Sequence, residues 1–297
     1  MPDLSSLIPD PTMSRIAYVN GRYLPFPDAK VHVEDRGYQF GDGVYEVCEV
    51  RSGHLVDERR HLERLNRSLG ELRIRMPVSV GALGVIMREV VARNRVDYGI
   101  VYLQVTRGVA RRDHAFPSRQ VRPSVVVTAR ALNKARNEAL AEQGIAVVTV
   151  PDNRWGRVDI KTIGLLPNVL ARQAALERGA RDAWFVDAHG MVTEASSANV
   201  WIVTPTGALI TRHADNAILR GITRTVLFDA IRAQGLTVEE RAFTLEEAYG
   251  AREAFITSAS QIVLPVVRVD GRIIGDGKPG PVAIALRRAY HRYAEAG

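Results

Sequence analysis

The stretch RVDIKTIGLLPNVLARQ, residues 157–173, contains Lys161, one of only four lysines in the chain. The other 36 basic residues, 40 Lys plus Arg less these 4, are arginine. Arginine stays protonated in proteins, whereas a desolvated lysine can lose its proton and act as a nucleophile or a base. Lys161 comes just before a predicted helix at residues 165–179. Its position alone fits both a surface lysine at a strand–helix junction and a reactive amine.

Outside this stretch the composition is that of a globular protein, with 46% hydrophobic and 25% charged residues. A length of 297 residues predicts one large domain or two of about 130–160 residues. No apolar run approaches the ~18 residues of a membrane span, and the start, MPDLSSLIPDPTMSR, does not resemble a signal peptide. The single cysteine, Cys48, excludes an intrachain disulfide. We therefore predict no membrane association and a cytoplasmic location.

The net charge of +7 raises the question of nucleic-acid binding. The arginines are spread along the chain and interleaved with acids, as in DERRHLERLNR, and no zinc-finger, basic-region or RNP-like motif is present. The seven histidines show no HExxH or paired-ligand spacing. We therefore predict no nucleic-acid partner and no metal site, although a basic surface helps to attract small anionic substrates.

Strands and helices are grouped along the chain, which favours the α+β class over a doubly wound sheet. Residues 1–131 show a predicted hairpin at YVNGRYL, a strand at GVYEVCEV, two helices and two further strands. A polar segment, NKARNEALAEQG, marks a predicted linker at residues 132–143. Residues 144–297 contain further strands and helices. The sequence thus predicts an N-terminal small domain, residues 1–131, and a C-terminal domain, residues 144–297, that binds the cofactor discussed below.

Two turns have the composition of an anion site. In ILRGITRTVLFDAIRAQG, Gly221 precedes a predicted helix whose first N–H groups, with the Thr223 hydroxyl, suit a phosphate. A plain helix cap fits the same residues. In FITSASQIV, a strand ends in small hydroxyl residues around Ser258 and Ser260, which offer further N–H donors. No GxGxxG follows a strand and opens a helix. One phosphate cup together with a reactive lysine suggests pyridoxal phosphate rather than a nucleotide.

A pyridoxal enzyme also needs an acid that faces the pyridine nitrogen, because a protonated ring draws electrons from the substrate. The segment GMVTEASSANVWIV places Glu194 at the end of a predicted strand, just before Ser197. Taken alone, a glutamate at such a position is more often a solvated turn residue.

In its motifs the sequence resembles the class IV (fold-type IV) pyridoxal-phosphate-dependent aminotransferases, and within them the branch that acts on D-amino acids. The resemblance runs from about residue 17 to residue 287. It rests on five segments in the family's order, which are EDRGYQFGDGVYEV, VTRGVARRDHAFP, DIKTIGLLPNVLARQ, VTEASSANV and LRGITRTV. It implies a two-domain fold, with a smaller N-terminal α/β domain and a larger C-terminal domain that has a mixed, barrel-like sheet and flanking helices.

The resemblance also implies a role for particular residues. Lys161 would form the Schiff base with the cofactor, and Glu194 would pair with its pyridine nitrogen. Phosphate would be bound by Arg64 and by the two turns, and other side chains would flank the ring. The residues implied in binding the cofactor are Lys161, Glu194, Arg64, Tyr45, Leu219, Ile222, Thr223, Ser258, Ala259, Ser260 and Ser197.

The implied substrate site consists of Tyr45, Val47, Arg112 and His114. In the family the last two hold the substrate α-carboxylate and come from the neighbouring subunit, so the resemblance implies a homodimer. Two features depart from the family's pattern. Ala259 stands where threonine is frequent, which keeps a backbone N–H but loses a hydroxyl. Strand alternation puts Glu49 on the same face as Tyr45 and Val47, where it is expected to disfavour acidic substrates unless it lies beyond the rim of the pocket.

The predicted function is therefore transamination of a D-amino acid such as D-alanine with a 2-oxo acid such as 2-oxoglutarate. It would follow ping-pong kinetics through pyridoxamine phosphate. The same scaffold serves branched-chain L-amino acid aminotransferases, (R)-amine transaminases and aminodeoxychorismate lyase, which remain alternatives. By the resemblance, the Arg112-x-His114 pattern favours the D-amino acid branch. A basic binding protein that is not an enzyme would carry no such cofactor.

Overall fold

The computed structural model describes residues 15–295 and contains two β-sheets. The first sheet consists of β1 (Ile16–Val19), β2 (Arg22–Pro25), β3 (Gly43–Arg51), β4 (His54–Leu55), β5 (Tyr98–Thr106) and β6 (Ser124–Ala131). These strands lie in the order β2-β1-β6-β5-β3-β4, and all neighbours are antiparallel. The two long central strands are rich in valine and aromatic residues, which suit a pleated surface that is half buried.

Three helices belong to this part of the chain, namely α1 (Arg36–Phe40), α2 (Glu58–Glu71) and α3 (Val80–Arg93). Helix α2 carries an apolar stripe at helical spacing, and its Leu62, Leu65 and Leu69 are buried in one core cluster with residues of α3 and of the central strands. Successive side chains of a strand point to opposite faces. The face of β3 that carries Tyr45 and Val47 is therefore turned away from this core.

The second sheet is larger and mixed. Its nine strands are β7 (Ile145–Pro151), β8 (Asp182–Val186), β9 (Val192–Ala195), β10 (Asn199–Val203), β11 (Leu209–Thr211), β12 (Val238–Glu240), β13 (Glu253–Ser258), β14 (Ile262–Val269) and β15 (Arg272–Ile273). The helices of this part are α4 (Lys134–Gln143), α5 (Leu166–Glu177), α6 (Ile222–Ala233), α7 (Leu245–Tyr249) and α8 (Pro281–Ala289).

Six of these strands close into a ring. They follow one another as β10-β13-β14-β7-β8-β9, and the pairing of Asn199 on β10 with Glu194 on β9 joins the two ends. Strand β7 runs parallel to both β8 and β14, whereas the other pairs in the ring are antiparallel. The predicted mixed, barrel-like sheet is thus confirmed, and its closure places Glu194 and Asn199 side by side.

The segment predicted as a linker, residues 132–143, is largely helical. Helix α4 spans Lys134–Gln143, and its N-cap Asn133 accepts a hydrogen bond from Arg136 N. A side-chain oxygen at this position satisfies a free N–H of the first turn, which explains where the helix begins. The limits of the two predicted domains, residues 1–131 and 144–297, stay a prediction.

Within residues 15–295, no helix is both long and apolar enough to cross a membrane. The same part of the chain contains no group of three or more His, Cys, Asp or Glu side chains arranged to hold a metal ion. The predicted absence of a signal peptide concerns residues 1–14, which lie outside the described residues.

Candidate active site

A cavity of about 980 Å³ is lined by residues from both sheets. It gathers the residues that the sequence marked separately. The predicted site residues that line it are Lys161, Glu194, Arg64, Tyr45, Leu219, Ile222, Thr223, Ser258, Ala259, Ser260, Ser197, Val47 and His114. Arg112 is the predicted residue that does not line it.

Lys161 is attached to the beginning of β3 by backbone hydrogen bonds. Tyr45 N donates to the Lys161 carbonyl oxygen at 3.0 Å, and two residues later Ile163 N donates to the Gly43 carbonyl oxygen at 3.1 Å. This pairing leaves Lys161 Nζ 4.2 Å from the centre of the Tyr45 ring. Lys161 is half-buried, whereas the other lysines are exposed, namely Lys30, Lys134 and Lys278.

Glu194 is buried on β9, and both of its carboxylate oxygens accept hydrogen bonds. Oε1 accepts from Leu219 N at 2.6 Å and from Asn199 Nδ2 at 3.0 Å. Oε2 accepts from Arg154 Nη1 at 2.6 Å. Burial raises the pKa of Glu194 above its ordinary value, and the Arg154 guanidinium opposes that rise. The alternative interpretation of Glu194 as a solvated turn residue is therefore wrong.

Arg154 was not recognised from the sequence. It lies between β7 and Lys161, and its side chain is buried among acids and carbonyl groups. Nε and Nη2 donate to the two oxygens of Asp152 at 2.9 and 2.7 Å, and Nη2 also donates to Thr193 Oγ at 3.1 Å. These bonds orient the guanidinium toward Glu194. No local motif surrounds Arg154, so the sequence offered no signal by which to find it.

Two turns meet at one end of the cavity. Helix α6 begins after Gly221, and no side chain caps its first turn. The N-terminus of a helix carries free N–H groups and a partial positive charge, which favour an anion. The turn Ser258–Ser260, between β13 and β14, lines the same cavity. We call the first turn of α6, this turn and the Arg64 guanidinium the anion cup.

Gly221 is required because the chain passes very close to the barrel at this position. A Cβ atom added there would lie 2.1 Å from Asn199 Oδ1, an impossible contact with the side chain that supports Glu194. Only glycine thus lets α6 begin directly against the Glu194–Asn199 pair. The anion cup and the buried carboxylate come to the same cavity for this reason.

Arg64 lies on α2 with its side chain 10% exposed. Its Nε and Nη2 donate to the two carboxylate oxygens of Glu46 at 2.8 and 2.7 Å, and Nη1 donates to the Arg220 carbonyl oxygen at 3.0 Å. A guanidinium has five N–H donors. Three are used in these bonds, so two remain for an anion in the cavity.

Glu46 is a further residue that the sequence did not reveal. It is buried behind Arg64, and its Oε2 also lies 2.8 Å from His61 Nδ1. Burial alone would raise the pKa of Glu46, but Arg64 and His61 outweigh it and lower that pKa to about 2. His61 and Arg64 stand three residues apart on one face of α2. Glu46 lies on the core-facing side of β3, where a glutamate is unexpected. That position was the signal in the sequence that could have indicated a partnership with the His61–Arg64 pair.

The two residues predicted to hold the substrate carboxylate, Arg112 and His114, lie on one loop but in different environments. His114 lines the cavity of its own chain, with its ring centre 5.5 Å from that of Phe40. Arg112 is exposed, and its guanidinium carbon lies 5.1 Å from the centre of the same ring. Buried Arg36 holds the loop by donating from Nη1 to the carbonyl oxygens of Asp113 and Ala115, at 2.6 and 3.3 Å.

Glu49 lies on the strand face predicted for it, but outside the cavity. It shares a face with Tyr45 and Val47 but does not line the cavity, and it is buried. His291 Nε2, from the turn after α8, lies 2.9 Å from Glu49 Oε2. Of the two alternatives for Glu49, the position beyond the rim of the pocket is the one that the structure shows.

Comparisons with known proteins find relatives that match most of the chain. A family model described as amino-transferase class IV matches residues 43–269. The D-alanine aminotransferase of Staphylococcus haemolyticus is 38% identical over 280 residues, which are 94% of this chain and 98% of that protein. The D-alanine aminotransferase of Listeria innocua is 40% identical over 273 residues, or 92% of this chain and 93% of that protein.

Solved structures show the same fold. The branched-chain aminotransferase of the archaeon Thermoproteus uzoniensis, determined with norvaline, aligns with a TM-score of 0.83 at 25% identity and covers 96% of this chain and 99% of that one. A hypothetical aminotransferase from Mycobacterium tuberculosis in a PLP-bound form aligns with a TM-score of 0.80 at 23% identity, covering 94% of this chain and 98% of that one. By sequence and by its fold-type IV architecture, this chain belongs to the class IV aminotransferases.

Proposed function

We propose that this chain transfers the amino group of a D-amino acid, such as D-alanine, to a 2-oxo acid, such as 2-oxoglutarate, with pyridoxal 5'-phosphate as cofactor. The observation that carries the proposal is the convergence of Lys161, buried Glu194 and the anion cup on one cavity. The class is pyridoxal-phosphate-dependent. The D configuration of the substrate is inferred from relatives named D-alanine aminotransferase that match nearly the whole chain.

The donor groups of the cavity fit this cofactor. The two remaining N–H groups of Arg64 and the uncapped first turn of α6 suit a phosphate. Glu194, oriented by Arg154 and Asn199, suits a protonated ring nitrogen. Leu219 supplies an apolar contact for the ring face, and Tyr45 lies against the Lys161 amine.

When bound, the cofactor supplies a carbonyl that takes up the amino group and a protonated ring that draws electrons from the substrate α-carbon. Glu194 would hold the proton at the ring nitrogen, because the adjacent Arg154 guanidinium favours its charged form against the effect of burial. Lys161 would hold the cofactor, then take the α-proton and return it as general base and acid. Its attachment to β3 keeps the amine on one side of the substrate, so only one enantiomer presents its α-hydrogen to it.

The test is a comparison of amino donors. With 2-oxoglutarate as acceptor, we expect D-alanine to be better than L-leucine in kcat/KM by about 30- to 3000-fold. An L-amino acid that points its α-hydrogen at Lys161 loses its carboxylate contact, and a charged contact of this kind is worth about 2–5 kcal/mol. Initial rates with each donor measure the ratio.

Other outcomes of the same assay lead to other conclusions. L-leucine as the better donor would identify a branched-chain aminotransferase. Equal use of an (R)-amine without a carboxylate would identify an (R)-amine transaminase. A protein without a chromophore and without activity toward any donor would be a binding protein and would refute the proposal.

We further propose a homodimer in which Arg112 and His114 serve the cavity of the partner subunit. Two features support an assembly. Arg112 is exposed and lies outside the lining of its own cavity. Helix α5, directly after Lys161, exposes several large apolar side chains, namely Leu166, Val169, Leu170 and Leu176. His114, in contrast, lines its own cavity, so an experiment has to decide which subunit the loop serves.

Mixing two inactive variants provides that experiment. If Arg112 acts on the partner's cavity, exchanged Lys161→Ala and Arg112→Ala subunits form mixed dimers with one intact site. Random exchange makes half of the dimers mixed, so about a quarter of the parent activity should return. Native mass spectrometry confirms the exchange. A mixture that exchanges fully but stays inactive would show that each cavity uses its own Arg112.

A further inference from the structure

The face of the first sheet that is turned toward the cavity carries one arginine that the site has not accounted for. Arg130 on β6 lines the cavity together with Ile100 on β5 and Val47 on β3. Cross-strand pairing places Glu49, Ile100 and Arg130 in one row, and Tyr45 lies in a parallel row with Gln104 and Val126. The rows are four residues apart, which is about 13 Å along the strands. The cavity therefore extends from Lys161, beside Tyr45, toward Arg130.

Arg130 differs in its charge environment from the other arginines of the cavity. Arg36 pairs with Asp42 at 2.8 Å, Arg64 with Glu46 at 2.7 Å, and Arg154 with Glu194 at 2.6 Å, as well as with Asp152. Arg130 is exposed, and its side chain makes no hydrogen bond or ion pair to any other residue among 15–295. Within that range, Arg130 is the arginine of the cavity lining whose guanidinium has no carboxylate partner.

The acid nearest to Arg130 within its row is already engaged. Glu49 is buried, and its carboxylate lies 2.9 Å from His291 Nε2. Arg51 Nη1 lies 2.6 Å from His291 Nδ1 on the other side of the ring. The turn after α8 thus engages the Glu49 carboxylate, which makes no ion pair with Arg130. The far end of the cavity is left positive.

The cavity lining suits a substrate with a second carboxylate. Lys161 lies beside Tyr45, and Arg130 lies beyond Val47 on the same face of the sheet. A substrate that reacts beside Lys161 and extends along this face presents its distal group to the lining guanidinium that, within residues 15–295, has no carboxylate partner. The three-carbon acids alanine and pyruvate have no second carboxylate that could contact Arg130.

We propose that Arg130 binds the distal carboxylate of dicarboxylic substrates and so determines the preference for 2-oxoglutarate and D-glutamate over monocarboxylic partners. This inference rests on the proposed transamination. The guanidinium offers two parallel N–H groups to a carboxylate, a geometry that an ammonium cannot reproduce. Because Arg130 lies far from the reacting carbon, it acts on substrate binding rather than on the proton transfer.

The test compares two acceptors in the holoenzyme with D-2-aminobutyrate as a common donor. In Arg130→Met, which keeps an unbranched apolar stem, we expect KM for 2-oxoglutarate to rise about 10- to 150-fold. This is the equivalent of about 1.5–3 kcal/mol for a hydrogen bond to a charged group. KM for pyruvate and kcat with either acceptor should change by less than about twofold. Arg22→Met, a change at an exposed position on β2 outside the cavity, is the matched control and should behave as the parent.

Binding without turnover separates this inference from the proposed function. Glutarate and butyrate differ in one carboxylate and cannot be transaminated. Calorimetry should show that the parent binds glutarate more tightly than butyrate and that Arg130→Met removes the difference, while Arg130→Lys retains part of it. Equal affinity of the parent for both acids, or an equal rise of KM for both acceptors, would overturn the role of Arg130. Absence of transamination in the parent would instead refute the proposed function, and the calorimetry would still decide for or against Arg130.

Discussion

Replacement of Lys161 by alanine is expected to lower kcat with D-alanine by at least about 10²- to 10⁴-fold, the contribution that a positioned general base and acid makes. The amine lies 4.2 Å from the Tyr45 ring centre, and among the lysines of residues 15–295 Lys161 is the one that lines the cavity. Single-turnover absorbance changes with D-alanine measure the loss. Lys134→Ala, a change at an exposed lysine on α4, should leave the rate unaltered.

The same lysine should carry the cofactor. The purified protein is expected to be yellow, and borohydride reduction should fix the label to the peptide that contains Lys161. The exposed lysines serve as internal controls, because they are open to any free aldehyde in solution. A label found chiefly on Lys30, Lys134 or Lys278 would overturn the assignment of Lys161.

Removal of the Arg64 side chain is expected to weaken cofactor binding by about 30- to 3000-fold, corresponding to about 2–5 kcal/mol for one partner of a buried charged pair. Two N–H groups of Arg64 remain for an anion while Glu46 holds the rest of the guanidinium. Equilibrium dialysis of the apoprotein with pyridoxal phosphate measures the change. Pyridoxal, which lacks the phosphate, should lose much less affinity, and equal losses for both would exclude Arg64 from the anion cup.

The control for this variant must be chosen with care. Arg67, on the same helix, donates from Nη1 to the Asp159 carbonyl oxygen at 2.8 Å, two residues before Lys161, so its removal disturbs the site as well. Arg59 is 62% exposed on the same helix and is the better control. Arg59→Ala should retain the cofactor as the parent does.

The thermal stability of Arg64→Ala should differ from that of the parent in a pH-dependent way, because Arg64 pairs with Glu46. The pKa of Glu46 is about 2, below its ordinary value of 4.5, because Arg64 and His61 outweigh the effect of burial. The stabilisation by this pair is therefore fully present above pH 4.5 and declines as the pH falls toward 2. The difference in Tm between the parent and Arg64→Ala should be largest near neutral pH and should shrink in acid.

Local rules made much of the site predictable. Lys161 stood out as one of four lysines in a chain that otherwise uses arginine, and the family resemblance then gave it a role. The uncapped start of α6 after Gly221 followed from the preference of glycine for such positions and from the free N–H groups of a first turn. The stripe of leucines on α2 followed from helical periodicity. Each of these features depends on residues within a few positions of one another.

The hydrogen-bond and ion-pair partners of the site residues depended on the tertiary structure. Arg154 meets Glu194 across 40 residues, and Arg64 meets Glu46 across 18, so each pair joins residues of different elements. Glu49 lies outside the cavity as a buried partner of His291, 242 residues away. The sequence by itself determined which groups to expect in the candidate site, because reactivity and helix ends are properties of short segments. Only the tertiary structure decided which charges are paired and which, like Arg130, face the cavity alone, because ion pairs form wherever folding brings distant strands and helices into contact.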